Sequence, residues 1–205
     1  MTRYLILFGI ISLSLIFFSC SKKNNPAEEK YIQQVEQYRH EKDDFMRNNP
    51  VSPFNQDSTI KFEPLNYYPV DPAFVFKSKL FEYPQKDTIT IYGTKGEARK
   101  AVRYGYVQFE YNNKPYEVNV YKGTSSQGEE YYSIWFTDKT TGGETYGVGR
   151  YIDFELNPDS NYVYTVDFNL AYNPYCAYSA RYSCAIPTKE DHLDIEVTAG
   201  EKKFH

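Results

Sequence analysis

Residues 162–170 read YVYTVDFNL. Tyr162, Tyr164, Val166, Phe168 and Leu170 fall on one side of an extended chain, and Val163, Thr165, Asp167 and Asn169 fall on the other. A period of two is the signature of a strand with one buried face. Working outward, the same signal recurs at 74–82, 88–92, 104–111, 116–122, 131–137 and 146–156, and a last strand is carried by Leu193, Ile195 and Val197. Turn residues separate these runs. Asn112-Asn113-Lys114 has the composition of a tight hairpin, and Thr140-Thr141-Gly142-Gly143 forms a second turn cluster. Eight short strand segments and one helical pattern predict a mainly β chain, α+β by count. An antiparallel sandwich or barrel of about eight strands fits this pattern better than alternating βαβ units.

The helical pattern lies upstream, at 26–48. Asn25 is a good N-cap, Pro26 suits the first helical position, and Glu28 stands where a capping box places its acid. Ile32, Val35, Tyr38, Phe45 and Met46 form an apolar stripe, and Asn48-Asn49-Pro50 ends the helix. The stripe is narrow and its surroundings acidic, which favours packing on the chain's own sheet over a lipid surface. Between this helix and the first strand, 50–72 is rich in proline and aromatics and reads as an ordered, irregular connection.

The N-terminus predicts a location. Arg3 precedes the uncharged run YLILFGIISLSLIFF at 4–18, which is shorter than the roughly 20 residues a membrane span needs and fits a signal peptide. Ser19-Cys20 resembles the lipobox of bacterial lipoproteins, in which the cysteine is acylated after cleavage. The expected organisation is a signal peptide at 1–19, a lipid-anchor tether at 20–25 and one globular domain at 26–205, with its β-rich core at 74–199. Ser21 in place of aspartate points to an outer membrane and SKKNN to its periplasmic face, with the membrane as partner through the acyl group on Cys20.

Acylation of Cys20 would leave two of the three cysteines, Cys176 and Cys184. In an oxidising compartment the expected state of such a pair is a disulfide. A metal site, a redox pair and two free thiols are the alternatives. C-x7-C is wider than the usual metal spacing, and neither a C-x-x-C motif nor a neighbouring histidine base is present. No metal or other cofactor is therefore expected. The formal net charge is −4, and without a basic stripe the chain has no electrostatic footprint for nucleic acid. The 22 tyrosines and 14 phenylalanines fit strand propensity first and ligand stacking second.

ETYGVGRYIDF (144–154), VDFNLAYNPYCAYSARYSCAIP (166–187) and VTAGEK (197–202), with EKDDFMRNNPVSPF (41–54), resemble the bacterial domain-of-unknown-function family 1684. The resemblance covers nearly all of the chain after the signal peptide. It implies a single domain and carries no activity, cofactor or substrate with it. Tyr175 replaces the second proline of an N-P-P-C motif.

Candidate functional residues gather near these motifs. Glu144, Tyr146, Arg150 and Asp153 lie on one predicted hairpin, and Asp167, Asn169, Tyr172 and Asn173 follow the best strand. If sequential strands pair, the two groups share one surface. Arg150, with its planar fork, is then the anchor for an anionic small ligand, or else it is satisfied internally by Glu144 or Asp153. Three functions follow: a small-ligand-binding β module, a periplasmic hydrolase using Glu144 with Asp153 or Asp167 as paired carboxylates, and an assembly factor that meets another envelope protein. No nucleophile triad, zinc-protease or phosphate-loop motif is present to favour the second. Replacing Cys20 by alanine is expected to release the protein from membranes. Fractionation of cells checks this, and a variant that stays in the membrane pellet would refute acylation at Cys20.

Overall fold

The structure is a computed structural model that describes residues 25–125 and 128–204. The segment expected to be a signal peptide, Cys20 and most of the expected tether lie outside the described residues. Among the described residues, no helix is long and apolar enough to cross a membrane.

Helix α1 spans Pro26–Asn48, and the Asn25 side chain accepts a hydrogen bond from the Glu28 amide at 2.8 Å. Its buried residues are Val35, Arg39 and Met46. Two members of the expected stripe, Tyr38 and Phe45, stay 39% and 37% exposed, so the helix docks on a narrower face than its apolar pattern offers. Arg39 takes their place below: its guanidinium donates to the Tyr68 carbonyl at 2.9 Å and stacks 4.6 Å from the Tyr67 ring.

Eight strands follow: β1 (Val75–Glu82), β2 (Thr88–Tyr92), β3 (Ala98–Tyr111), β4 (Lys114–Thr124), β5 (Glu130–Asp138), β6 (Arg150–Asp153), β7 (Val163–Asp167) and β8 (His192–Leu193). They form one sheet in the order β6-β5-β4-β3-β1-β7, with β2 on β3 and β8 on β5. All pairings are antiparallel except β5 with β8. The β3–β4 hairpin turns on Asn112 and Asn113, both at positive φ, with Tyr111 opposite Lys114. That is the two-residue turn whose twist matches the flanking strands. A bulge at Tyr104 bends β3 between its pairing with β2 and its pairing with β1.

The sheet curls into a half-barrel. Its two edges, β6 and β7, approach without a ladder: Phe154, just past β6, stacks on Tyr164 of β7 at 4.6 Å, and Phe168 meets Phe136 at 5.2 Å. The concave side holds the main core, including Val107, Val118, Val120, Ile134, Phe136 and Val166. The convex side is also covered near β4 and β5. Tyr121 and Trp135 stack there at 4.6 Å beneath the loop carrying Ala185, and Asp191 accepts from Asn119 and the Tyr121 hydroxyl, each at 2.9 Å. Burial on both faces explains why β4 and β5 bury consecutive residues, at 118–121 and 133–136, instead of alternating.

Three strand expectations are corrected by side chains. β7 ends at Asp167, five residues long, because the Asp167 carboxylate accepts the Asn169 amide at 2.9 Å and starts a 3-10 turn. The segment expected at 146–156 is a strand only at Arg150–Asp153. Before it, Gly149 sits at φ 112, where a Cβ would lie 2.5 Å from the Phe136 carbonyl oxygen. The final strand stops at Leu193, and the chain beyond it is held by Arg150. The Arg150 guanidinium donates to the carbonyls of Val197 (2.9 Å), Ala199 and Glu201 (3.4 Å), and pairs with Asp138 at 2.7 Å. Three alternate carbonyls of the C-terminal segment are thus bonded by one side chain instead of a neighbouring strand. Arg150 and Asp138 are both fully buried.

Gly200 closes this clasp at φ 76, with room for no side chain: a Cβ would lie 2.6 Å from the Phe168 carbonyl oxygen and 2.7 Å from that of Ala171. Gly96 has φ 84 and nothing within 4 Å of the same position. Gly96→Ala is expected to cost about 1 kcal/mol of stability, from backbone conformation alone. Gly200→Ala should cost a further ~1–3 kcal/mol, because the backbone must move. Urea unfolding of both variants checks this, and equal losses would show that the close approach at Gly200 does not constrain the fold.

Candidate ligand-binding site

The eight residues singled out from the sequence do not share one surface. β7 pairs with β1 rather than with β6, so the condition that would have joined the two groups fails. Asp167 and Asn169 lie under the start of α1. The Tyr31 hydroxyl donates to Asp167 at 2.8 Å, and Asn169 donates to the Tyr31 hydroxyl at 3.0 Å and to the Asp71 carbonyl at 2.8 Å. Glu144 is exposed, near Lys202 at 3.7 Å. Glu144, Asp153 and Asp167 each take a different partner, Lys202, the Tyr172 hydroxyl and the Tyr31 hydroxyl respectively. Arg150 is corrected too. Its fork is taken by Asp138 and backbone carbonyls inside the core, and the residue is 1% exposed, which leaves nothing for an anionic ligand to reach.

Asp153 and Tyr172, by contrast, meet at an open pocket of ≈ 540 Å³ between α1, β6 and the loop after β7. The local sequence builds it in three steps. Tyr151 of β6 and Tyr172 exchange backbone hydrogen bonds at 2.9 Å in both directions, which ties the loop to the sheet edge. The Tyr172 hydroxyl donates to Asp153 at 2.6 Å, and the Tyr172 ring lies edge-on to Tyr151 with centroids 6.1 Å apart. The chain then turns through Pro174 into a 3-10 turn at Tyr175–Ala177, and Tyr175 packs edge-to-face on Tyr182 at 5.2 Å.

Helix α1 supplies the opposite wall with Tyr38, Glu41, Lys42, Phe45 and Met46. The exposure of Tyr38 and Phe45 has its reason here: they face the pocket. Lys42 does not present a free charge. Its ammonium lies 4.6 Å above the Tyr172 ring and pairs at 3.0 Å with Glu201, which is 1% exposed. Glu201 also accepts from the Asn173 amide (3.2 Å), the Asn173 side chain (2.8 Å) and the Tyr178 hydroxyl. Asn173 therefore acts behind the pocket wall, not in it. Burial raises the pKa of Tyr38, Tyr151, Tyr172 and Tyr175, and the Asp153 carboxylate adds to the rise at Tyr38, Tyr172 and Tyr175. These phenols stay protonated at neutral pH.

Cys184 reaches the same pocket. It is next to Cys176, whose amide donates to the Cys184 sulfur at 3.3 Å, and the two are free thiols in the structure. A hydrogen bond from Cys184, then one from Tyr146, hold the Cys176 thiol down at about 6, while that same bond and burial push Cys184 up. Tyr146 lies 3.7 Å from the Cys176 sulfur, so its place is with the cysteines. His192 bonds Thr137 at 3.0 Å. Among the described residues, no three His, Cys, Asp or Glu side chains are grouped as a metal site.

The helix residues of this pocket were not legible as site residues, because Tyr38, Phe45 and Met46 share the spacing of a core stripe. Glu201 carried no signal beyond its place in VTAGEK. The aromatic density of 172–182, with Tyr175 in place of a proline, was the one available cue.

Comparison with solved structures finds a protein of matching size. The solution NMR structure of the uncharacterized protein from gene locus rrnAC0354 of Haloarcula marismortui superposes with a TM-score of 0.62 at 27% identity, covering 86% of this chain and 96% of that one. No curated protein matches the chain. A family model, "Protein of unknown function (DUF1684)", matches residues 60–202, which takes in the whole sheet and the Glu201 clasp, and the chain belongs to that family.

Proposed function

We propose that the protein is an envelope protein, anchored by an acyl group on Cys20 in the outer membrane and facing the periplasm, that binds a small and largely apolar molecule. The aromatic pocket between α1 and the loop after β7 carries this reading. Its ≈ 540 Å³ lies within the range of small-ligand sites, which combine apolar walls with a few placed polar groups. Tyr38 and Phe45, apolar side chains left exposed on an otherwise docked helix, support a site with an occupant.

The test uses the neutral fluorophore Nile red with the chain from residue 21 onward. Saturable one-to-one binding is expected, and Phe45→Glu should abolish it. Phe45 is 37% exposed, so the change leaves the core intact, which circular dichroism confirms. Binding that is unsaturable, or indifferent to Phe45→Glu, would remove the pocket from consideration.

The same reading includes a bridge between Cys176 and Cys184 in the oxidising compartment, supported by their contact. A bridge closing a loop of this length stabilises by roughly 2–3 kcal/mol in the chain-entropy model. Joint replacement of both cysteines by alanine is expected to lower the melting temperature of the oxidised protein, and reductant should lower that of the parent in the same way. A parent whose melting temperature ignores reductant would count against the bridge.

A further inference from the structure

The charge and ring geometry of the pocket narrow the class of its ligand. Tyr151 with Tyr172 and Tyr175 with Tyr182 are two edge-to-face pairs, with interplanar angles of 72° and 77°. Rings set nearly at right angles form a corner, and an aromatic face is the negative pole of the ring quadrupole. A corner of this kind attracts a cation with an apolar coat. The structure already contains an instance: the Lys42 ammonium sits 4.6 Å above the Tyr172 ring.

The carboxylates point the same way. Glu41 and Asp153 line the pocket. Asp153 is engaged through Oδ1 with Tyr172, and its Oδ2 has no partner among the described residues. Among the described residues, the one cation in the lining, Lys42, is neutralised by the buried Glu201 behind the wall. Among the described residues, an anion entering here would meet two carboxylates and no free positive charge. The field extends over the rings, since Asp153 contributes to the raised pKa of Tyr38, Tyr172 and Tyr175.

We infer that the pocket selects an organic cation with an apolar coat, of the quaternary or alkylated ammonium class, through the aromatic corner and the Asp153 carboxylate. This rests on the pocket being a ligand site, and the experiment separates the two claims. Three probes of nearly the same shape differ in charge: choline, its neutral carbon analogue 3,3-dimethylbutan-1-ol, and 3,3-dimethylbutanoate. Each is titrated into the chain from residue 21 onward, with affinities read from NMR shifts of the protein.

Choline is expected to bind roughly five- to tenfold tighter than the alcohol at low salt, and the anion most weakly. The advantage of choline should shrink with added salt, as interactions of exposed charges do. Asp153→Asn keeps an acceptor for the Tyr172 hydroxyl and should reduce the choline advantage while leaving the alcohol unchanged. Glu41→Gln, on the exposed side of α1, should act in the same direction. Equal affinities for choline and the alcohol, or preference for the anion, would overturn the cation assignment and leave the pocket standing as a site for neutral ligands. If none of the three binds and Nile red also fails, the pocket reading falls with it.

Discussion

One buried guanidinium organises the far end of this fold. Arg150 stands at the start of β6, the edge strand, and reaches across to the C-terminal segment, whose own pairing is a single bridge of Glu201 with Tyr67. Its bonds to the carbonyls of Val197, Ala199 and Glu201 do the work of a missing ladder, and Asp138 on the adjacent β5 neutralises it. Neither ion is exposed. An unpaired charge at such a depth would cost several kcal/mol, so either partner alone is worse than neither. The arrangement is therefore all or nothing: the C-terminal segment docks with the pair assembled, or three backbone carbonyls and a cation lose their partners together.

The pocket inherits its shape from that clasp. Docking of the segment places Glu201, whose carboxylate then gathers Lys42 from α1 and Asn173 and Tyr178 from the loop after β7. Those two elements are the facing walls of the pocket. Their separation is thus held by the buried Glu201 side chain behind them together with the Lys42 ammonium over the Tyr172 ring. Met46 is consumed in a second core cluster with Phe54, Leu65 and Phe204, while Tyr38 and Phe45 remain at the opening.

The sequence revealed local geometry better than partners. The turn at Asn112-Asn113 was readable because a two-residue hairpin needs positive φ at both positions and asparagine tolerates it. The start of α1 was readable because Asn25, Pro26 and Glu28 satisfy helix-end requirements within four residues. Alternation in 163–166 correctly placed Tyr164 and Val166 inward. By contrast, of the strand expected at Leu193, Ile195 and Val197 only Leu193 lies in one, for a non-local reason. From Val197 onward the carbonyls of Val197, Ala199 and Glu201 are bonded by a side chain 47 residues or more away in sequence. Arg150 itself was misassigned on the same ground, since the acid that satisfies it, Asp138, lies across a strand pair whose register no local pattern announces.

The site was legible in halves. Asp153 and Tyr172 were identified from polar residues near an aromatic run, whereas the wall on α1 was hidden, because Tyr38 and Phe45 sit at the helical spacing of core residues. Periodicity reports which face of a helix is apolar and is silent on whether that face is filled. Here the filled part is narrower than the apolar part, with Arg39 occupying buried space beside Tyr67 and Tyr68 and tilting the balance of contacts away from Tyr38. Tyr38 and Phe45 at the rim leave apolar surface beside the pocket that α1 does not bury against its own sheet. On the reading proposed above, the pocket's ligand would cover it.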